Sequence, residues 1–170
     1  ISFCLSVKFF IVFKRHLLSC NQVKLIIKIT VIIYSMLSFV NMLVIGITSR
    51  ALFDLDKSHG IFEEKGLEAY KDFQVANENI PLNPGQAFPL VNKLLSLNQK
   101  IKNDKKVEVI LLSRNSADTG LRVFNSIQHH GLDIKRAAFC GGGSPHTYAK
   151  SFGAQLFLST EFSDCKSSIE

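Results

Sequence analysis

Val107-Glu108-Val109-Ile110-Leu111-Leu112, followed by Ser113-Arg114-Asn115-Ser116, is the stretch that decides the fold class. It is short, aliphatic at nearly every position and ends in small polar residues, the pattern of a strand buried on both faces. A helical periodicity follows over 117–130, carried by Leu121, Phe124 and Ile127, and Gly131 is placed to end it. The alternation repeats on both sides. Upstream lie a strand at about 43–48, a polar and acidic helix over 59–78 with Phe62, Tyr70 and Phe73, and a turn-rich break from Asn79 to Gly85. A helix over 86–100 with Phe88, Val91, Leu94 and Leu95 on one face comes next, then a solvated loop at 102–106. Downstream come a short strand from Arg136 to Cys140, the loop Gly141-Gly142-Gly143, a helix start at Ser144-Pro145 with Ser144 as N-cap, and a strand from Gln155 to Ser159. Strands alternating with helices predict an α/β domain with a doubly wound, mainly parallel sheet. Four strands and a helix barely begun before Glu170 make that sheet small, so the expectation is of a domain incomplete at its C-terminus.

The formal charge of +6 on 170 residues invites thoughts of nucleic acid or anionic membrane, but its distribution argues otherwise. Residues 1–41 hold Lys8, Lys14, Arg15, Lys24 and Lys28 and no acid, whereas 42–170 carry fifteen basic against fourteen acidic residues. The expected division is therefore an apolar, basic extension over 1–41 and the α/β unit over 42–170, with no nucleic-acid partner. From Ile29 to Ile47 nineteen residues carry no charge, enough for a membrane span behind a basic flank. Leu43-Val44-Ile45-Gly46-Ile47, the last third of that run, reads equally well as a buried strand, and one segment cannot be both. Three readings of the extension stay open: a membrane anchor, a cleaved signal, or upstream sequence read in frame with Met42 as the natural start. The last is favoured by the lack of Gly, Pro, Asp and Glu in 1–41.

Cys140 and Cys165 stand singly in the α/β unit with no CxxC, which suits free thiols in a reducing, cytoplasmic setting. Gly141-Gly142-Gly143 after a strand lacks the acidic residue that a dinucleotide fingerprint needs at the end of the next strand, so an NAD site is not expected. His129-His130 before Gly131 reads as a helix C-terminus and not as a metal site.

In an open parallel sheet, ligands bind beyond the carboxyl ends of the strands. Those positions are Thr48-Ser49-Arg50, Ser113-Arg114-Asn115, Gly141-Gly142-Gly143-Ser144 and Ser159-Thr160-Glu161. Hydroxyls, Arg114, Asn115 and backbone amides near Ser144 suit a phosphate, with Lys150 able to neutralise it. Small polar residues are also what tight strand-to-helix turns use, and an exposed lysine needs no ligand. Asp54-Leu55-Asp56 offers a paired-carboxylate reading, with one Asp as nucleophile on phosphorus, the other as proton donor, and a magnesium ion beside them. The competing reading is a solvated pair at a helix N-terminus.

Longer stretches carry a resemblance. Thr48-Ser49-Arg50-Ala51-Leu52-Phe53-Asp54-Leu55, Ile61-Phe62-Glu63-Glu64-Lys65-Gly66-Leu67-Glu68-Ala69-Tyr70 and Pro81-Leu82-Asn83-Pro84-Gly85-Gln86-Ala87-Phe88-Pro89 resemble the cytosolic type I 5'-nucleotidase family. So do Val109 to Asn115, Thr119 to Ile127 and Ala137 to Gly142, and together they cover about 43–164. The resemblance implies a haloacid dehalogenase-like fold and magnesium-dependent release of phosphate from nucleoside 5'-monophosphates. It also implies two similar halves, with the D-G-D-A-V-L-F nucleophile motif in the second, whereas this chain resembles the first. The missing C-terminal half would then be a partner.

Two registers follow. Sliding that motif onto Leu52-Phe53 puts Ile47 at the nucleophile position and Ser49 at the acid/base position, and neither side chain can do that chemistry. The other register extends the strand to Phe53, with Asp54 as nucleophile and metal ligand, Asp56 as general acid, Ser113 and Lys150 on the phosphate, and Glu161 or Asp164 on magnesium. The first is favoured, because the apolar run stops at Thr48 and Arg50 sits badly inside a strand. A 5'-nucleotidase is the leading expectation and a non-catalytic nucleotide- or partner-binding half-domain the alternative.

Overall fold

The computed structural model describes residues 9–12, 42–100 and 106–169. The elements in order are β1 (Phe9–Val12), β2 (Leu43–Ile47), α1 (Ser49–Leu52), α2 (Asp56–Ala76), α3 (Phe88–Lys100) and β3 (Val107–Ser113), then α4 (Ala117–His129), β4 (Arg136–Phe139), α5 (His146–Ser151), β5 (Leu156–Ser159) and α6 (Phe162–Ile169). The strands form one sheet in the order β1-β5-β2-β3-β4, parallel at every pairing. This is the expected α/β, Rossmann-like architecture, with β1 as an additional edge strand inside the segment read from sequence as an extension. The remainder of residues 1–41, and with it the anchor and signal readings, lies outside the described residues. Among the described residues, no helix is long and apolar enough to cross a membrane.

The period-2 geometry of the strands divides the core between two faces. Leu43, Ile45 and Ile47 of β2 and Val107, Val109 and Leu111 of β3 join the larger cluster with Val91, Leu94 and Leu95 of α3 and Val123 and Ile127 of α4. Val44, Ile110 and Leu112 point to the other face, with Ala149 and Phe157. The last third of the uncharged N-terminal run is thus the sheet strand β2, buried along its whole length.

The strand ends at Ile47 for a local reason. Thr48 donates its amide to the Leu158 carbonyl at 2.9 Å, and α1 then turns the chain away from the sheet. Phe53 forms an isolated antiparallel bridge with Pro84, and Gly85 donates its amide to the Leu52 carbonyl at 2.9 Å. Gly85 has to be glycine here: a Cβ would lie 2.8 Å from the Phe53 backbone nitrogen and carbonyl carbon. The 78–85 turn is bolted to α4, with Arg122 Nε on the Ile80 carbonyl at 3.0 Å, Ser126 Oγ accepting the Leu82 amide at 2.9 Å, and His130 Nε2 donating to the Leu82 carbonyl at 2.8 Å. His130 caps α4 and stacks on Phe53, the structural role expected of the histidine pair.

Helix α2 buries only Ser58 and Gln74, and a kink at Gly66 (φ 82°) splits it. Its aromatic residues are therefore not a core stripe; Phe62 is 44% exposed. Helix α5 begins at His146 with Pro145 as N-cap, so Ser144 does not cap it as expected. The Ser144 hydroxyl instead donates to the Asp164 carboxylate on α6, a charge-assisted bond.

Candidate functional site

The strand order reverses between β2 and β5, and at such a point the loops leaving adjacent strands part to opposite sides and open a crevice beyond their carboxyl ends. A cleft of about 640 Å³ opens there. Its floor comes from three strand ends: Thr48, Ser49 and Arg50 after β2, Arg114, Asn115 and Ser116 after β3, and Ser159, Thr160 and Glu161 after β5. Gly141 and Gly142 reach it from the loop after β4 and Asp164 from α6. Helix α2 roofs the cleft with His59, Phe62, Leu67, Tyr70 and Lys71.

Two ion pairs cross the floor. Arg50 Nη1 lies 2.8 Å from Glu161 Oε1, and Arg114 Nη2 lies 2.5 Å from Asp164 Oδ1. Asp164 is 2% exposed, and its Oδ1 also receives the Ser144 hydroxyl. Its other oxygen, Oδ2, has no hydrogen-bond partner among the described residues, and neither have the buried hydroxyls of Thr48 and Thr160. Ser49 and Ser113 share a hydrogen bond of 3.1 Å beneath the floor. The roof is fixed by a chain of bonds: Tyr70 OH donates to Asn115 Oδ1 at 2.8 Å and accepts from Gln74 Nε2 at 3.0 Å, and Gln74 Oε1 accepts from Arg122 at 3.1 Å. Burial pushes the Tyr70 phenol above its ordinary pKa, so it stays a donor. His59 stacks on Phe62 and Phe62 meets Tyr70 edge-on, giving the roof an aromatic surface.

Residues 35–170 match the family model described as 5'-nucleotidase. The chain is also 33% identical over 135 residues to human cytosolic 5'-nucleotidase 1B. It belongs to the cytosolic 5'-nucleotidase family. That alignment covers 76% of this chain and 22% of the relative, so the chain spans about a fifth of the length of the curated relative it matches. No solved structure gives a significant match. The span matched by the 5'-nucleotidase model starts at residue 35, ahead of Met42.

The cleft of this 5'-nucleotidase family member brings together Arg114, Asn115, Glu161 and Asp164 among the residues singled out from sequence, and leaves others away. Ser113 is fully buried below the floor, where its Oγ accepts the Asn115 amide at 3.2 Å. Ser144 acts through Asp164 and does not line the cleft. Lys150 is exposed on α5 and Asp54 is exposed ahead of α2; neither they nor Asp56 line it. Asp54 Oδ1 accepts the Asp56 amide at 3.0 Å, the helix-start role that was its competing reading. The register that runs the strand on to Phe53 disagrees with this geometry, because α1 and the Phe53–Pro84 bridge turn the chain before Asp54 can reach the sheet edge.

A divalent metal, which phosphoryl chemistry in this family implies, does not fit the residues present. Among the described residues, no three His, Cys, Asp or Glu side chains gather to hold an ion. The set Asp54, Glu161 and Asp164 is not assembled, and Glu161 and Asp164 are each occupied by an arginine. The carboxyl end of β2 presents Thr48 and Ser49, and Ile47 behind them is fully buried. Sequence reasoning missed His59, Phe62, Tyr70 and Lys71 as cleft residues. The available signal was that the apolar residues of α2 are too sparse for a core-facing helix.

Proposed function

We propose that this chain is the first α/β unit of a magnesium-dependent cytosolic 5'-nucleotidase that releases phosphate from nucleoside 5'-monophosphates. In this reading the carboxylates that attack phosphorus and hold magnesium belong to the remaining C-terminal portion of the protein, which is the partner of this unit. The observation that carries it is the cleft at the strand-order reversal, where the guanidinium groups of Arg50 and Arg114, paired with Glu161 and Asp164, stand on the floor and His59, Phe62 and Tyr70 give the roof an aromatic surface. A nucleotide has an anionic end and a flat apolar end, and it suits such a pair of surfaces.

Phosphate release tests it. The 170-residue chain and a version continued with its own downstream coding sequence are each given AMP or IMP with magnesium. The expected result is turnover by the longer protein and none by the shorter. A longer protein without activity, or a short chain whose turnover is abolished by Asp54→Asn, contradicts the proposal.

A further inference from the structure

We propose that the outer edge of β5 is the docking surface for the strand that follows α6 in the longer protein, and that Phe9–Val12 is an exchangeable occupant of that edge. This rests on the reading of the chain as the first unit of a longer protein, and adds where the continuation joins the unit.

The sheet order decides where a further strand can go. β2, β3 and β4 lie side by side in chain order, and α3 and α4 cover the face that holds Leu43, Ile45 and Leu111. The chain then returns to the far side of β2 as β5, and α5, on the way there, sits with Ala149 on the opposite face. Direction and face reverse together, which keeps the crossovers of one hand, the rule for parallel strands. Helix α6 leaves β5, meets α5 and packs across both β5 and β1. A helix so placed carries the chain to a parallel strand beside β5, on the edge away from β2. Phe9–Val12 already lies there, parallel to β5 and in register from Phe9 on Leu156 to Val12 on Ser159. It comes from the other end of the chain and is not the strand that α6 leads into.

Two features make β1 replaceable. The residues of β5, Leu156-Phe157-Leu158-Ser159, are all buried and include none of the charges or prolines that guard a natural sheet edge, so this strand is built to be covered. The cover supplied by β1 is a ladder of four residues tethered to β2 through residues 13–42. Loop closure costs more entropy the longer the connection, and helix-to-strand connections in such sheets are a few residues long. A strand joined directly to α6 therefore displaces β1.

Hydrogen–deuterium exchange of the peptide covering Leu156–Ser159 tests the inference, with Phe9–Val12 intact or replaced by Gly-Ser-Gly-Ser. Both forms are made in the 170-residue chain and in the protein continued with its own downstream coding sequence. In the shorter chain the replacement should speed β5 exchange at least tenfold, while β3, held between β2 and β4, keeps its protection and reports a folded sheet. In the longer protein it should change β5 exchange less than twofold, with Phe9–Val12 exchanging freely and the segment after α6 slowly. Equal loss of β5 protection in both proteins overturns the inference, because β1 is then a permanent strand. So does unchanged β5 exchange in the shorter chain, or rapid exchange of the segment after α6. If the replacement unfolds the shorter chain, the longer protein decides: β5 protected there supports the inference and β5 exposed overturns it. Turnover plays no part in the readout, so an inactive longer protein would sink the proposed activity and leave the docking edge standing.

Discussion

Removing the arginine that faces Asp164 is the sharpest perturbation of the cleft floor. In Arg114→Ala, Asp164, whose side chain is 2% exposed in the parent protein, keeps the Ser144 hydroxyl on Oδ1 but loses its one cationic partner among the described residues. Breaking a fully buried pair from one side costs about 3–5 kcal/mol, whereas exposed pairs contribute about 0–1 kcal/mol. Arg114 is 43% exposed, so solvent screens its half of the interaction and an intermediate loss of about 2 kcal/mol is expected. That is roughly a thirty-fold change in the ratio of folded to unfolded protein. The loss comes mainly from stranding a buried charge and not from the attraction itself. Asp164→Asn placed in the Arg114→Ala background should therefore restore about 1 kcal/mol. Urea unfolding followed by far-ultraviolet circular dichroism suits a chain with no Trp, and the slope against urea should be unchanged. Arg114→Ala within about 0.5 kcal/mol of the parent, or a double variant no more stable than Arg114→Ala alone, would refute the reasoning.

Asp54→Asn should leave both stability and AMP binding unchanged, because Asp54 is exposed and an amide oxygen can still accept the Asp56 amide; dialysis and thermal melting check this. Gly120→Ala places a Cβ 2.3 Å from Phe139 Cε1 and forces a ring already packed edge-on against Phe124. A cost of about 1–3 kcal/mol is expected, seen as a fall of roughly 2–10 °C in Tm, and Phe139→Leu should relieve it. Tyr70→Phe leaves Asn115 Oδ1 without its donor and Gln74 Nε2, on a residue 1% exposed, without its acceptor, so it should cost about 1–3 kcal/mol in a urea titration. Its pH dependence has a definite sign. Burial raises the Tyr70 pKa from 10.0, so the folded state holds the proton more tightly. That contribution is complete below pH 10 and is lost as pH rises through the folded value, and the Tyr70→Phe variant should lack this alkaline component.

Four of the five strands, β2 to β5, and roughly where each ends were legible in the sequence because they depend on neighbours along the chain, whereas the edge strand β1 was not. Val107 to Leu112 is apolar on both faces, and Thr48 and Ser113 mark the polar strand ends where the cleft opens. The helix-terminal role of His129-His130 followed in the same way from the glycine after it. Strand order, and everything that depends on it, came from tertiary structure. Arg50 meets Glu161 across 111 positions and Arg114 meets Asp164 across 50, and only the reversal between β2 and β5 brings those partners together. The pairings turn two acids with the look of metal ligands into neutralised partners, a reversal of role that spacing along the chain does not reveal. Asp54 and Asp56 look catalytic as a D-x-D, yet the Phe53–Pro84 bridge and Gly85 carry them off the sheet edge. Helix α2 reads as a polar, acidic helix with a few aromatic residues, and those residues became a roof because the Gly66 kink and the Tyr70–Asn115 bond hold it over the cleft. Burial of apolar side chains is a local statistical pattern and can be read from residue order. Charge pairing acts over a few ångströms of space, so which acid stays available is decided only once the chain has folded.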